Sequence, residues 1–260
     1  MELKDFERFF PELGEETLVF SKLERTFPVL FELTKSSPSK ANGRIVVART
    51  LSQAKGRFGR KWFAEEGGLW LGFSVFDEFL EATKCFLPLA VANSVFRACT
   101  EFGVISARIK WINDIHIDGK KLAGILIEKK EDWFLCGIGI NVNNRIPRGI
   151  PGTSFKEVLK REVSCEEVLS SLIKWLRRYL GFLRYFDGAT LREEEVENVI
   201  LSHYKGFCDS IGRCVAYGYN LDRGDYIVGR VIDISSKGEL VLKTAKGSLI
   251  FSSGEIIYLF

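Results

Sequence analysis

Gln53-Ala54-Lys55-Gly56-Arg57-Phe58-Gly59-Arg60-Lys61-Trp62 is the stretch that decides how this chain is read. It places four cations (Lys55, Arg57, Arg60, Lys61) and two glycines (Gly56, Gly59) within ten residues. Arg44–Ala48 before it reads as a buried strand, and Leu69–Phe76 after it as another. Glycine allows positive φ and a close approach of the backbone to a ligand. Successive N–H groups in such a loop can form an anion-binding concavity, and Arg forks bind carboxylate or phosphate through paired hydrogen bonds. Charge and glycine alone leave two readings open, an anion-binding flap and a solvated basic loop.

A second anchor lies about fifty residues further on. It contains Lys110-Trp111-Ile112-Asn113-Asp114 and, after Asp118-Gly119, Lys121-Leu122-Ala123-Gly124-Ile125-Leu126. Asp-Gly between two alternating runs predicts a hairpin. The two-residue period puts Lys110, Ile112, Asp114 and His116 on one face of its first arm. Trp133–Asn143 reads as a third strand, so a meander is expected; its glycines imply that something packs closely on the backbone.

The remaining elements follow from periodicity and punctuation. Leu18–Phe20 predicts a short strand, Arg25–Lys35 a helix interrupted early by Pro28, and Ser36–Gly43 a turn-rich loop. Cys85–Phe102 predicts a buried helix with Pro88 in its first turn. Ser164–Tyr185 predicts a core helix, Ser164 as N-cap completing a capping box with Glu167. A further polar helix is expected over Leu191–Tyr204. After Phe207 the pattern becomes short strands: Cys214–Tyr217, Tyr226–Asp233, Glu239–Lys243 and Ser248–Phe251. Turns at Lys237-Gly238 and Lys246-Gly247 complete the signature of a small barrel.

Composition sets the limits. A chain of 260 residues, 46% hydrophobic, supports one large domain or one plus a small one. Lys+Arg 37 against Asp+Glu 34 gives +3, too balanced to argue for nucleic acid on bulk charge. No apolar run approaches the roughly 20 residues of a membrane span, and Met1–Glu7 is not a signal peptide. The six cysteines show no Cys-x-x-Cys and there are two histidines, so reduced thiols in a cytoplasm are expected and no metal site.

Taken together, the anchors resemble the biotin protein ligases. That family carries Gly-Arg-Gly-Arg-x-Gly-Arg-x-Trp, Lys-Trp-Pro-Asn-Asp, Lys-Leu-Ala-Gly-Ile-Leu and Gly-Ile-Asn-x-Asn. Here these stand, in order and at matching spacing, as 54–62, 110–114, 121–126 and Gly139-Ile140-Asn141-Val142-Asn143. The C-terminal strands, with Gly254-Glu255-Ile256, look like the family's SH3-like tail. The resemblance runs over roughly residues 18 to 260. It implies an α+β fold: a mixed β-sheet backed by helices over residues 1–207, a biotin/lipoate ligase-like catalytic domain, then a small SH3-like β-barrel over 208–260.

What the resemblance implies chemically is an ATP-dependent ligase. Biotin's carboxylate attacks the α-phosphate of MgATP, and the ε-amine of a lysine on a biotin carrier protein domain then attacks the biotinyl-adenylate. Two anions must meet, so cations and oriented N–H groups are needed. By the family's pattern Lys121, Arg57 and Asp114 are expected to be catalytic. Thr26, Lys55, Gly56, Arg57, Arg60, Lys121 and Gly124 are expected to hold biotin or the adenylate. Trp62, Lys110, Asn113, Asp114 and Asn141 are expected to serve ATP. Trp62 and Trp111 would flank the adenine; Asn141 would bond the ligand edge or brace the sheet, alternatives that stay open. ATP, Mg²⁺ and biotin are the implied small molecules. The resemblance leaves open a homodimer through a sheet edge. About twenty residues before Phe20 are too few for the DNA-binding domain of the family's repressors, so no DNA partner is expected.

The pattern breaks on one side. The family's Ser-Thr-Asn, which lines the biotin ring, stands here as Arg25, Thr26 and Phe27. Its Gln three residues before the loop's first glycine, which reaches the ureido group, is Leu51; Gln53 lies two residues later. The loop's first Gly-Arg is Ala54-Lys55, and the Pro of Lys-Trp-Pro-Asn-Asp is Ile112. Alternatives are a ligase or transferase for another carboxylic acid such as lipoate or octanoate, a non-catalytic relative, and a nucleic-acid binder using the basic loop.

Overall fold

The computed structural model describes residues 2–219, 221 and 224–259. After a 3₁₀ turn over Leu3–Phe9 come β1 (Thr17–Leu23), α1 (Thr26–Ser36), α2 (Pro38–Ala41), β2 (Ile45–Leu51), β3 (Leu69–Phe76) and α3 (Leu87–Glu101). There follow β4 (Arg108–Lys110), β5 (Asp114–Ile117), β6 (Lys120–Lys130), β7 (Trp133–Ile140), α4 (Phe155–Leu159), α5 (Cys165–Leu191) and α6 (Val199–Phe207). The chain ends in β8 (Cys214–Gly218), β9 (Ile227–Ile234), β10 (Leu240–Thr244), β11 (Gly247–Phe251) and β12 (Glu255–Tyr258).

The first sheet is mixed, in the order β1-β2-β3-β7-β6-β5-β4. β1 and β2 run parallel and the other neighbours antiparallel. Alternation along the strands divides two faces. One carries Leu69, Leu71, Phe73, Cys136, Ile138 and Ile140 into the main core beneath α3 and α5. The other meets α1, whose Phe27 and Leu30 pack with Val46, Trp133 and Leu135. Phe6 of the N-terminal turn stands edge-on to Phe182 of α5 at 5.0 Å and closes the back of the molecule. Ser164 caps α5, its hydroxyl accepting from Glu167 N–H, which is the forward half of the expected box.

Several expectations are corrected. Pro28 does not interrupt α1, because proline in a first turn removes an N–H that has no partner there anyway. Pro38 starts a further helical turn inside the expected loop. Leu191 ends α5 rather than starting the next helix, which begins at Val199. The first arm of the hairpin is not one strand. Residues 111–113 turn, the Trp111–Ile112 peptide is cis, and β4 folds back on β5 with Lys110 opposite Asp114. The two residues still meet, as cross-strand partners and not by alternation.

The C-terminal strands form an antiparallel sheet, β11-β10-β9-β8-β12, of SH3-like character. Among the described residues its outer strands β11 and β12 are not paired, so the expected closed barrel is an open sheet. This sheet lies against the first one. Trp111 Nε1–H donates to Gly238 O at 3.1 Å, Trp111 N–H to Ser210 Oγ at 3.0 Å, and Tyr204 O–H to Ile112 O at 3.1 Å. The turn of the second anchor is thus held from behind by α6 and the C-terminal unit. Among the described residues no helix is long and apolar enough to cross a membrane, and all six cysteines are unpaired.

Candidate functional site

A cavity of about 510 Å³ opens on the α1 face of the first sheet, where β3, β7, β6 and the basic loop meet. That volume suits a small molecule. Its floor is made of glycines. Gly124, Gly137 and Gly139 border it, Gly124 standing opposite Gly139 in the β6–β7 ladder. A Cβ at Gly137 would sit 2.9 Å from Phe27 Cε1, one at Gly139 3.0 Å from Trp62 Nε1, and one at Gly124 2.9 Å from Lys121 Cε. The close approach expected of the β7 glycines is therefore made by Phe27 and Trp62, which stand on that floor.

The basic loop folds into a tight flap at one rim. Gly56 N–H donates to Arg60 O at 2.8 Å and Trp62 N–H to Ala54 O at 3.0 Å. Phe58 and Gly59 turn the tip with φ of 56° and 74°. The flap lies on the C-terminal unit. Arg57 Nη1 donates to Gly254 O at 2.9 Å and to Asn113 Oδ1 at 3.3 Å, and Nη2 to Ser253 Oγ at 3.1 Å. Arg60 pairs with Glu255, and Phe58 meets Tyr219 edge-on at 6.3 Å. Lys55 and Lys61 bridge the flap's two arms and remain exposed.

The hairpin supplies the opposing groups. Lys121 Nζ lies 2.7 Å from Asp114 Oδ1, off the angle of a regular hydrogen bond, so the contact is an ion pair. The same ammonium stands 5.1 Å from the Trp62 ring centroid, in cation–π range. Asn113 Nδ2 donates to Ile125 O at 2.6 Å, which fixes the amide whose oxygen receives Arg57. Flap, Asn113, Asp114 and Lys121 thus form one connected edge. Asn141 is buried: its Nδ2 donates to Lys121 O at 3.3 Å and its Oδ1 accepts from Asn144 at 3.0 Å. Of its two open alternatives, bracing the hairpin is the one seen.

Burial sets the electrostatics of this edge. It pulls the Arg57 guanidinium below its ordinary pKa, against the opposing pull of Asp114 and Glu255. It does the same to Lys110, where Asp114 again opposes and Lys121 adds repulsion. Clustered cations that cost energy to desolvate beside few carboxylates are suited to an anionic ligand.

All twelve residues expected from the sequence border this one cavity: Thr26, Lys55, Gly56, Arg57, Arg60 and Trp62 from the α1 and flap side, with Lys110, Asn113, Asp114, Lys121, Gly124 and Asn141 from the hairpin side. Trp111 borders the cavity as well, but at 2% exposure and with its indole N–H spent on Gly238 it presents little of its ring there. Gln53 is exposed and does not border the cavity, so it does not replace Leu51. Sequence reasoning missed Glu255, which borders the cavity and holds Arg60; only its place after Gly254 in the tail motif pointed to it. Among the described residues no cluster of His, Cys, Asp or Glu is arranged to hold a metal ion.

Comparison with known proteins bears on this geometry. Residues 22–143 match the model of the biotin/lipoate A/B protein ligase family, and residues 220–258 that of the biotin protein ligase C-terminal domain. The bifunctional ligase/repressor BirA of Bacillus subtilis is 25% identical over 256 residues, covering 94% of this chain and 74% of that protein. The biotin–[acetyl-CoA-carboxylase] ligase of Mycobacterium tuberculosis is 25% identical over 231 residues, 86% of this chain and 82% of that one. The biotin protein ligase of Aquifex aeolicus, solved in complex with biotin and ATP, superposes with a TM-score of 0.77 at 27% identity, over 94% of this chain and 98% of that one. The two matched segments cover the flap, the hairpin and the C-terminal unit that holds them together, and on that ground the chain belongs to the biotin protein ligase family.

Proposed function

We propose that this chain is an ATP-dependent ligase that activates biotin as biotinyl-5′-adenylate and transfers it to a lysine of a biotin carrier protein domain. One observation carries the reading: the flap arginine Arg57 and the hairpin ion pair Asp114–Lys121 meet through Asn113 at the edge of one cavity. In the first step a biotin carboxylate oxygen attacks the α-phosphorus, and pyrophosphate leaves with its Mg²⁺, which enters on the nucleotide. Lys121 and Arg57 neutralise charge that develops on the phosphoryl oxygens, and fixed charges in a cavity do this without reorganising at the moment of reaction. Trp62 is the aromatic face offered to the adenine.

In the second step the acceptor lysine attacks the acyl carbon and AMP leaves. Asp114 is the carboxylate placed to receive the incoming ammonium and its proton. In this reading residues 1–207 form the catalytic domain, and residues 208–260 a tail that holds the flap through Glu255, Ser253 and Gly254. The open edge of β1, where Val19 is 65% exposed, is the edge available to a second copy. The ATP requirement fits a cytoplasmic enzyme, and no role for DNA is included. The test is incubation with MgATP, biotin and a carrier domain. AMP and pyrophosphate should appear, and the acceptor lysine should gain the mass of a biotinyl group. Absence of pyrophosphate release with biotin or any other acid would end this reading.

A further inference from the structure

The cavity has a second end, and its chemistry is different. Around Gly137 the walls are Phe27 and Leu126, with Leu51 and Trp70, which pack on Trp62, bordering the cavity as well, and with Thr26 and Arg25 as the polar side chains. Arg25 lies 3.8 Å from Glu128, with its side chain 29% exposed, and 5.8 Å from the Phe27 ring, so its charge is answered by a carboxylate and by water. Ser74, on the same face of β3, is buried and spends its hydroxyl on Ala41 O at 2.6 Å. The floor offers no backbone partners either, because β7 is paired along both sides.

We propose that this site also adenylates medium-chain aliphatic carboxylic acids that carry no ureido ring, with an efficiency close to that for biotin. The inference rests on the acyl-adenylation reading above. A site rejects an analogue strongly, by about 10⁴–10⁵, when it holds buried polar groups that the analogue leaves unpaired; an apolar pocket separates its ligands by only about 10–200-fold. Here a ureido carbonyl and two N–H groups would face one buried hydroxyl and one solvated guanidinium. An aliphatic tail entering the same space leaves the Thr26 hydroxyl as the one buried side-chain group unmatched, beside the uncapped first N–H groups of α1, and it packs against Phe27, Leu51 and Leu126. The carboxylate end is unaffected: an oxygen of the aliphatic acid attacks the α-phosphorus, the bond from phosphorus to the bridging oxygen breaks, and pyrophosphate leaves, with no redox step.

The test is acid-dependent exchange of labelled pyrophosphate into ATP by the full chain, with biotin, octanoate and suberate compared at matched concentrations. The expected result is a kcat/KM for octanoate within about tenfold of that for biotin. Preference for biotin by more than about a thousandfold would overturn the proposal while leaving the ligase intact. A comparable preference for suberate over octanoate would also overturn it, by making Arg25 the partner of a distal anion. No exchange with any acid would refute the ligase reading itself, a distinguishable failure. A Phe27→Asn/Leu51→Gln variant should raise the biotin-to-octanoate ratio at least tenfold, and an unchanged ratio in the folded variant counts against this end as the selector. Should that variant not fold, the wild-type ratio decides.

Discussion

The two ends of one cavity make opposite use of the same sheet. At the flap end three distant segments are fixed against each other by hydrogen bonds: the Arg57 guanidinium donates to the Asn113 side-chain oxygen and to the Gly254 backbone carbonyl. At the acid end, Phe27, Leu51 and Leu126 share little beyond apolar surface. A charge-handling end tolerates little variation, since removing one donor leaves others buried and unpaired. An apolar end tolerates exchange of side chains of similar volume. On the function proposed above, the difference means that the reaction and the choice of acid are separately encoded, which mutation at either end tests.

The largest effect expected is at the hairpin. Lys121→Ala should lower the adenylation kcat by about 10²–10³, the usual cost of one transition-state donor. The loss should be equal for biotin and octanoate, measured by pyrophosphate exchange; a loss confined to one acid would break the division into two ends. Arg57→Ala should cost about 10² in the same assay, again with either acid. On the floor, Gly137→Val would push into Phe27, whose ring atom lies 2.9 Å from the new Cβ. Overpacking of this kind costs about 1–3 kcal/mol, so Tm should fall by several degrees in a thermal melt and acid binding should weaken more than ATP binding.

A smaller, pH-dependent effect is expected behind the charge-handling end. Asp209 accepts from Tyr258 O–H at 2.7 Å and faces His116 Nε2 at 2.9 Å. Since Gly119 N–H donates to His116 Nδ1, the ring proton sits on Nε2 and is donated to Asp209. Burial pushes the Asp209 carboxyl up, but the bonds from His116 and Tyr258, with the charge of Arg213, outweigh it and leave the carboxyl below its ordinary value. Stability from a depressed carboxylate is present above its unfolded pKa and is lost as pH falls through the folded one. Urea unfolding at stepped pH should therefore show an acid-side loss, below about pH 4, that Asp209→Asn removes. The smallest effect belongs to the pair Arg60–Glu255. Arg60 is about half exposed, so Glu255→Gln should change stability by no more than about 1 kcal/mol, while loosening the flap enough to raise its hydrogen exchange.

Much of this was legible in the sequence for a physical reason. Local chemistry announces itself: Gly56 and Gly59 among cations, Asp118-Gly119 between alternating runs, Gly137 and Gly139 one period apart on β7. What stayed hidden depends on long-range pairing. The alternation over Lys110–His116 suggested one strand, because nothing local reveals that β4 turns back on β5 under Trp111. That the Trp111 ring, which borders the cavity, is almost wholly buried with its N–H on Gly238 in the β9–β10 turn could not be read from local pattern either. The strands of the tail were found, but whether β11 meets β12 is decided by twist and register that no single strand carries. Glu255 could not be joined to Arg60 from a separation of 195 residues.

The central claim is that flap and hairpin converge on one phosphorus. A crystal structure with a non-hydrolysable sulfamoyl analogue of the acyl-adenylate tests it most directly. The account predicts the sulfonyl oxygens within about 3 Å of both the Arg57 guanidinium and Lys121 Nζ, with the acyl tail running over Gly137 towards Phe27. A bound analogue whose sulfonyl group touches only one of these two cations, or whose tail leaves the cavity away from Phe27, would contradict it.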